Sequence, residues 1–121
     1  MRVERDEVEH WSDVYEAALR RHDVATLDGL FWDDPAVLRF GVADQQWGYD
    51  EVVAWRAAAT PVPPDRVITS RHVVALAPGV VAVDLVFRDD DATVGRQSQT
   101  WIHVPAGWRI ARAHVSVIAA P

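Results

Sequence analysis

Apolar residues near the start of the chain recur with a helical period. Trp11, Tyr15, Ala18, Leu19 and His22 fall at i, i+4, i+7, i+8 and i+11, one face of a helix. That spacing predicts a helix over residues 6–22. Asp23 opens a second, shorter helix over residues 25–30. Pro35 closes the region, because proline pushes the residue before it out of the helical basin. Residues 36–41 read as a short strand and 45–49 as a loop. Asp50 reads as the N-cap of a third helix over 51–59. A proline-rich connector, residues 60–65, follows.

Beyond it the period changes to alternation. Residues 67–76, 80–88, 97–104 and 108–118 are predicted strands, joined by turns at 77–79, 88–95 and 105–107. This order predicts an α+β architecture in one domain, residues 1–121. Three N-terminal helices would pack on the concave face of a curved, mostly antiparallel sheet and enclose a pocket. Asp89, Asp90 and Asp91 fall in a turn and read as a solvated tip, since one loop offers a cation too few oxygens.

The last two strands keep polar residues in an otherwise apolar pattern. Strict alternation puts Gln97, Gln99, Trp101 and His103 on one face of the first. It puts Trp108, Ile110, Arg112, His114 and Ser116 on one face of the second. Large aromatics rarely sit on a fully solvated face, so these faces are expected to line a pocket. The alternative is a solvated polar face. The opposite stripe, Arg109, Ala111, Ala113, Val115 and Val117, is expected on the outside of the sheet, forming a homodimer contact.

Charge and composition narrow the chemistry. The net charge is −6, from 12 basic and 18 acidic residues, which argues against a nucleic-acid partner. Every basic residue is arginine, so no lysine is present for Schiff-base chemistry. There is no cysteine, which removes disulfides and thiolate chemistry and suits a cytoplasmic setting. No apolar run is long enough to span a membrane, and no signal peptide is expected at the acidic start. The five histidines lack the tight spacing of metal ligands, so neither metal nor cofactor is expected.

Several motifs together carry a family resemblance: Leu30-Phe-Trp-Asp-Asp-Pro35, Arg39-Phe-Gly41, Gly48-Tyr49-Asp50 and Gly95-Arg-Gln-Ser-Gln-Thr-Trp101, then Gly107-Trp-Arg-Ile110 with Ala113-His-Val-Ser116. They resemble the NTF2-like superfamily, which also holds SnoaL-like cyclases and ketosteroid isomerases. Within it the chain is most similar to the AtzH-like branch, which includes the oxalurate-catabolism protein HpxZ. Residues 60–88 match poorly, and Arg112 stands where the branch usually has a small residue. The resemblance implies a cone-shaped α+β fold, usually a dimer, and a role near ureide or amide catabolism, often beside an amidase.

Ketosteroid isomerases use an aspartate base and an oxyanion hole of a tyrosine and a protonated aspartic acid. Counted along the resemblance, the base position falls on Arg39 and the oxyanion acid on Gln99, with Tyr15 in place of the tyrosine. A permanent cation replaces the base, so proton abstraction there is not expected. Arg39 instead suits a carboxylate. Gln97 and Gln99 suit an amide or ureido group, and Tyr15, Trp101 and Ser116 complete the expected ligand-binding set. His114 is the candidate catalytic proton carrier. The structural alternatives are a salt bridge from Arg39 to Asp33, Asp34 or Asp84, a purely structural His114, and core packing for Tyr15, Trp11, Trp32 and Trp55.

Three functional readings stay open. The first is a pocket that binds a carboxylate-bearing amide or ureido compound, with or without a hydrolytic or isomerising step. The second is a non-catalytic dimeric partner of an amidase, its pocket vestigial. The third is a cyclase or isomerase of an apolar metabolite, which Arg39 disfavours.

Overall fold

The computed structural model describes residues 2–121. Helix α1 (Arg2–Arg21) turns Val8, Tyr15, Ala18 and Leu19 into the core and buries Ser12 and Glu16 between them. It stops at His22, which takes a left-handed φ of 53° while the Asp23 N–H donates to the Ala18 carbonyl at 2.9 Å. Helix α2 (Val24–Leu30) starts on Asp23, whose carboxylate accepts from the Thr26 N–H at 3.2 Å. Helix α3 (Tyr49–Ala58) begins two residues earlier than the sequence pattern suggests. Its N-cap is Gly48 rather than Asp50, at a φ of 87° that favours glycine. Glu51 reaches back and accepts from the Trp47 N–H at 2.9 Å.

Six strands form one sheet: β1 (Leu38–Phe40), β2 (Gln45–Trp47), β3 (Val67–Ala77), β4 (Val80–Arg88), β5 (Thr93–Val104) and β6 (Gly107–Ala119). Their spatial order is β2-β1-β6-β5-β4-β3. Every neighbouring pair is antiparallel except β1 and β6, which run parallel. The segment expected as a loop at 45–49 is therefore mostly β2, folded back on β1. Three residues are too few for alternation to be read from sequence. The helices cover one face of the sheet, giving the expected cone. Arg71 of β3 ties α1 down by donating to Asp13 at 2.6 Å and Ser12 at 3.3 Å. Trp108 Nε1 does the same through Glu7 at 2.7 Å.

One irregularity in β6 decides what reaches the covered face. Thr100 pairs with Arg112, but its neighbour Trp101 pairs with Ile110, so Ala111 is an extra residue. Such a bulge reverses the alternation beyond it. Trp108 and Ile110 face the core before the bulge; after it, Ala113 is buried, while Arg112 and His114 are exposed. The expected common face of Trp108, Ile110, Arg112, His114 and Ser116 is thus corrected, and so is the expected outer stripe of Arg109, Ala111, Ala113, Val115 and Val117. Ala111 and Ala113 are buried, and Val115 and Val117 line the cavity described next.

Candidate functional site

A cavity of about 250 Å³ opens between the helices and the sheet. Its polar lining includes Tyr15 on α1, Arg39 on β1, Arg56 on α3, Arg66 ahead of β3 and Gln97 on β5, with Asp44 and Asp89 beside two of the arginines. Tyr15, Arg39 and Gln97 were expected to meet here, and the structure brings them together. Three arginines border one small space, with apolar walls from residues such as Leu19, Leu27 and Val115.

Arg56 was not anticipated from sequence. It is only 5 % exposed. Its Nη2 donates to the Tyr15 hydroxyl at 3.4 Å, and its Nε is buried with no partner. No carboxylate oxygen lies within 4.0 Å of it among the described residues. The available signal was Val52, buried one helical turn earlier on α3, which shares a face with position 56. An arginine following a core valine at i+4 points inward unless its stem snorkels out.

Arg39 is 9 % exposed and differently placed. Its Nη1 donates to Asp44 Oδ1 at 2.8 Å and Gln46 Oε1 at 2.9 Å, and Gln46 Nε2 donates to the same Asp44 oxygen at 3.0 Å. The structural salt bridge is thus real, with Asp44 as partner in place of Asp33, Asp34 or Asp84. Gly41 permits it, since a Cβ there would fall 2.4 Å from Asp44 Oδ1. Both guanidinium groups lie against Trp55, at 3.6 Å for Arg39 and 4.7 Å for Arg56. Burial pulls the Arg39 guanidinium below its ordinary pKa and Arg56 adds to this, while Tyr15 and Asp44 oppose it. Arginine stays charged at neutral pH regardless.

Arg66 forms a two-point ion pair with Asp89, at 2.7 and 2.8 Å, and stacks 3.8 Å from the Phe87 ring. That ring lies on Gly95, where a Cβ would meet it at 2.2 Å. Asp89 is therefore engaged within the protein, while Asp90 and Asp91 are exposed at the tip as expected. Asp90 accepts from the N–H groups of Ala92 and Thr93 at 2.8 and 2.9 Å. No cluster of three or more metal-ligating side chains occurs among the described residues.

The other expected site residues lie elsewhere. Gln99 and Trp101 share the inner face of β5 with Gln97 but are covered, and do not line the cavity. Trp101 Nε1 donates to Gln99 Oε1 at 3.0 Å, leaving Gln99 Nε2 buried without a partner. His114 is exposed on the outer face, edge-on to Phe40 at 5.6 Å. Ser116 accepts from Arg96 Nε at 3.0 Å on that same face. The Ala111 bulge puts both on the side of the sheet away from the cavity. The histidine that does border the cavity is His22, at the end of α1. Asp84 is exposed on the outer face, between His72 and Ser98 of the flanking strands.

The AtzH-like family model matches residues 3–121 of the chain. A cystatin-like fold protein from Burkholderia xenovorans LB400 is 36 % identical, over 97 % of this chain and 93 % of that one, with a TM-score of 0.92. A protein of unknown function from Pectobacterium atrosepticum is 35 % identical, over 92 % and 88 %, with a TM-score of 0.86. A putative dehydratase of the NTF2-like family from Streptomyces avermitilis shares the fold at 17 % identity, over 98 % of each chain, with a TM-score of 0.80. No curated protein matches the chain.

Proposed function

Because the chain belongs to the AtzH-like family of the NTF2-like superfamily, we propose that it binds a small carboxylate-bearing amide or ureido compound in the cavity bordered by Arg39 and Arg56. The observation that carries this reading is Arg56, a buried cation with an unpartnered Nε and no carboxylate oxygen within 4.0 Å among the described residues, the Asp28 carboxylate acting on it only from farther off. An ion kept from water without a partner costs several kcal/mol. A carboxylate ligand would supply the missing charge. Arg56, Arg39 and the Tyr15 hydroxyl would hold it, and Gln97 would meet its amide or ureido end. Asp44 and Asp89 also border the cavity, but each is paired with an arginine. Neither is a free base for carbon-acid chemistry, which further disfavours a cyclase or isomerase of apolar metabolites.

For a hydrolytic or other proton-transfer step, His22 is the better-placed imidazole, since it borders the cavity and His114 does not. A homodimer would use the outer face carrying Arg96, Arg112 and His114, not the alanine and valine stripe. Such a protein, cysteine-free, suits the cytoplasm. Calorimetry with N-carbamoylglycine and related ureido acids tests the binding reading. Saturable binding that Arg56→Gln weakens at least tenfold supports it. Absence of binding by the wild type to every ureido acid and small amide acid favours instead a non-catalytic amidase partner.

A further inference from the structure

Glu16 is a buried acid that the anion-binding reading does not use. It sits on α1 directly after Tyr15 and is 4 % exposed. Its Oε2 accepts from Gln97 Nε2 at 3.3 Å, and its Oε1 is buried without a partner. Gln97 is thus shared between two environments. One end of its amide meets Glu16, and the residue also lines the cavity.

A carboxylate can only accept hydrogen bonds, so it takes the NH₂ end of a neighbouring amide. The end left for a ligand is then the carbonyl oxygen. A protonated acid has an O–H to give and can take the carbonyl end instead, turning the NH₂ toward the cavity. The charge on Glu16 therefore chooses whether the cavity offers an acceptor or a donor at this point.

We propose that ionised Glu16 is a positioning residue that holds Gln97 with its carbonyl oxygen toward the cavity, so that the site selects ligands carrying an N–H group opposite Gln97. This rests on the anion-binding reading above and adds the part of the ligand that lies away from the carboxylate. A ureido NH₂ satisfies the oxygen; a methyl group or a carboxylate does not.

The charged groups around Glu16 are Arg20 on its own helix, Arg66 in the connector and Arg71 on β3. Asp13 shares its groove on the α1 side, and pairs with Arg71 at 2.6 Å. Burial raises the Glu16 pKa above the ordinary carboxylate range, and those arginines and Gln97 hold it back. Selection for an N–H group should therefore strengthen as pH rises through the Glu16 titration.

Two probes of nearly equal shape read this out. N-carbamoylglycine ends in NH₂ where N-acetylglycine ends in CH₃, and both keep the same carboxylate. Wild type at mildly alkaline pH should prefer the carbamoyl compound by about tenfold, the typical effect of leaving a buried acceptor unpaired. Glu16→Gln frees the amide to turn and should bring the preference close to one, with both compounds still bound. If that variant does not fold, the wild type alone decides, since its preference should shrink as pH falls toward 5. Equal binding of both compounds by wild type at every pH, with Arg56→Gln still abolishing it, overturns this proposal and leaves the anion site standing. Failure of wild type to bind either compound overturns the anion site itself.

Discussion

Replacing Arg56 with methionine should make the protein more stable and less able to bind. The two effects have opposite sign because the residue is buried and has no carboxylate within 4.0 Å among the described residues, with Asp28 acting on it only from farther off. In the folded protein the guanidinium has lost most of its hydration, being 5 % exposed, and recovers one long hydrogen bond, 3.4 Å to Tyr15, and the Trp55 ring at 4.7 Å. Methionine has a similar length and no charge to desolvate. Exchanging buried ionic groups for apolar ones of similar volume stabilises by about 1–4 kcal/mol where it has been favourable. For a domain of this size, each kcal/mol moves Tm by about 3–6 °C. Binding should fall, since removing one partner of a desolvated ion pair costs about 2–5 kcal/mol, or about 30-fold to several thousand-fold. Arg39→Met provides the contrast. It strands Asp44, so it should lower Tm, modestly because the Asp44 side chain is 37 % exposed. Thermal melts and calorimetry on the two variants measure all four quantities. If Arg56→Met lowers Tm while affinity for ureido acids is unchanged, the reasoning fails, and Arg56 is a structural residue.

Three other substitutions test particular parts of the structure. Gly95→Ala should displace the Phe87 ring and with it the stacked Arg66, costing about 1–3 kcal/mol by overpacking; denaturant melts give the loss, and an unchanged midpoint would refute the packing. His22→Gly should raise stability by up to about 1 kcal/mol, because glycine accepts the left-handed φ of 53° more readily than histidine; a lower midpoint in the same assay would count against that cap. Glu16→Gln should stabilise the protein at neutral pH and have little effect near pH 4. The sign follows from the raised carboxyl: the folded state holds its proton more tightly than the unfolded chain, so stability is fully present below the ordinary glutamate pKa and is lost as pH rises through the folded value. Melts across that range should show the variant's advantage growing with pH, and a constant difference would refute it.

Most of the fold was legible because it depends on long periodic segments. The face of α1 and the alternation in β4 were plain, and Asp23 announced the start of α2 through its capping chemistry. What was lost is short or aperiodic. β2 has three residues, and Gly48 caps α3 through its backbone freedom rather than a side chain. The site was half legible for the same reasons. Tyr15 lies on a periodic helix face and Gln97 on a regular strand, so their place at the cavity could be read. Arg56 was missed because hydropathy assigns an arginine to water, while the turn of α3 that begins at Val52 points it inward. His114 and Ser116 were placed inside because nothing in the residues around Ala111 marks a bulge.

Ala111 also bears on how such a cavity changes over evolutionary time. A substitution in β6 alters one wall position and leaves its neighbours where they were. Deleting Ala111 would restore simple alternation with every other β6 side chain on its present side. A strand that kept Ala111 but lost the bulge would instead turn Arg112, His114 and Ser116 inward and Ala113, Val115 and Val117 outward. Part of the pocket's lining thus depends on the bulge as much as on residue identity. The bulge gives β6 one residue of slack: a deletion there leaves the apolar wall apolar, whereas straightening the strand at its present length would recast it as a polar one.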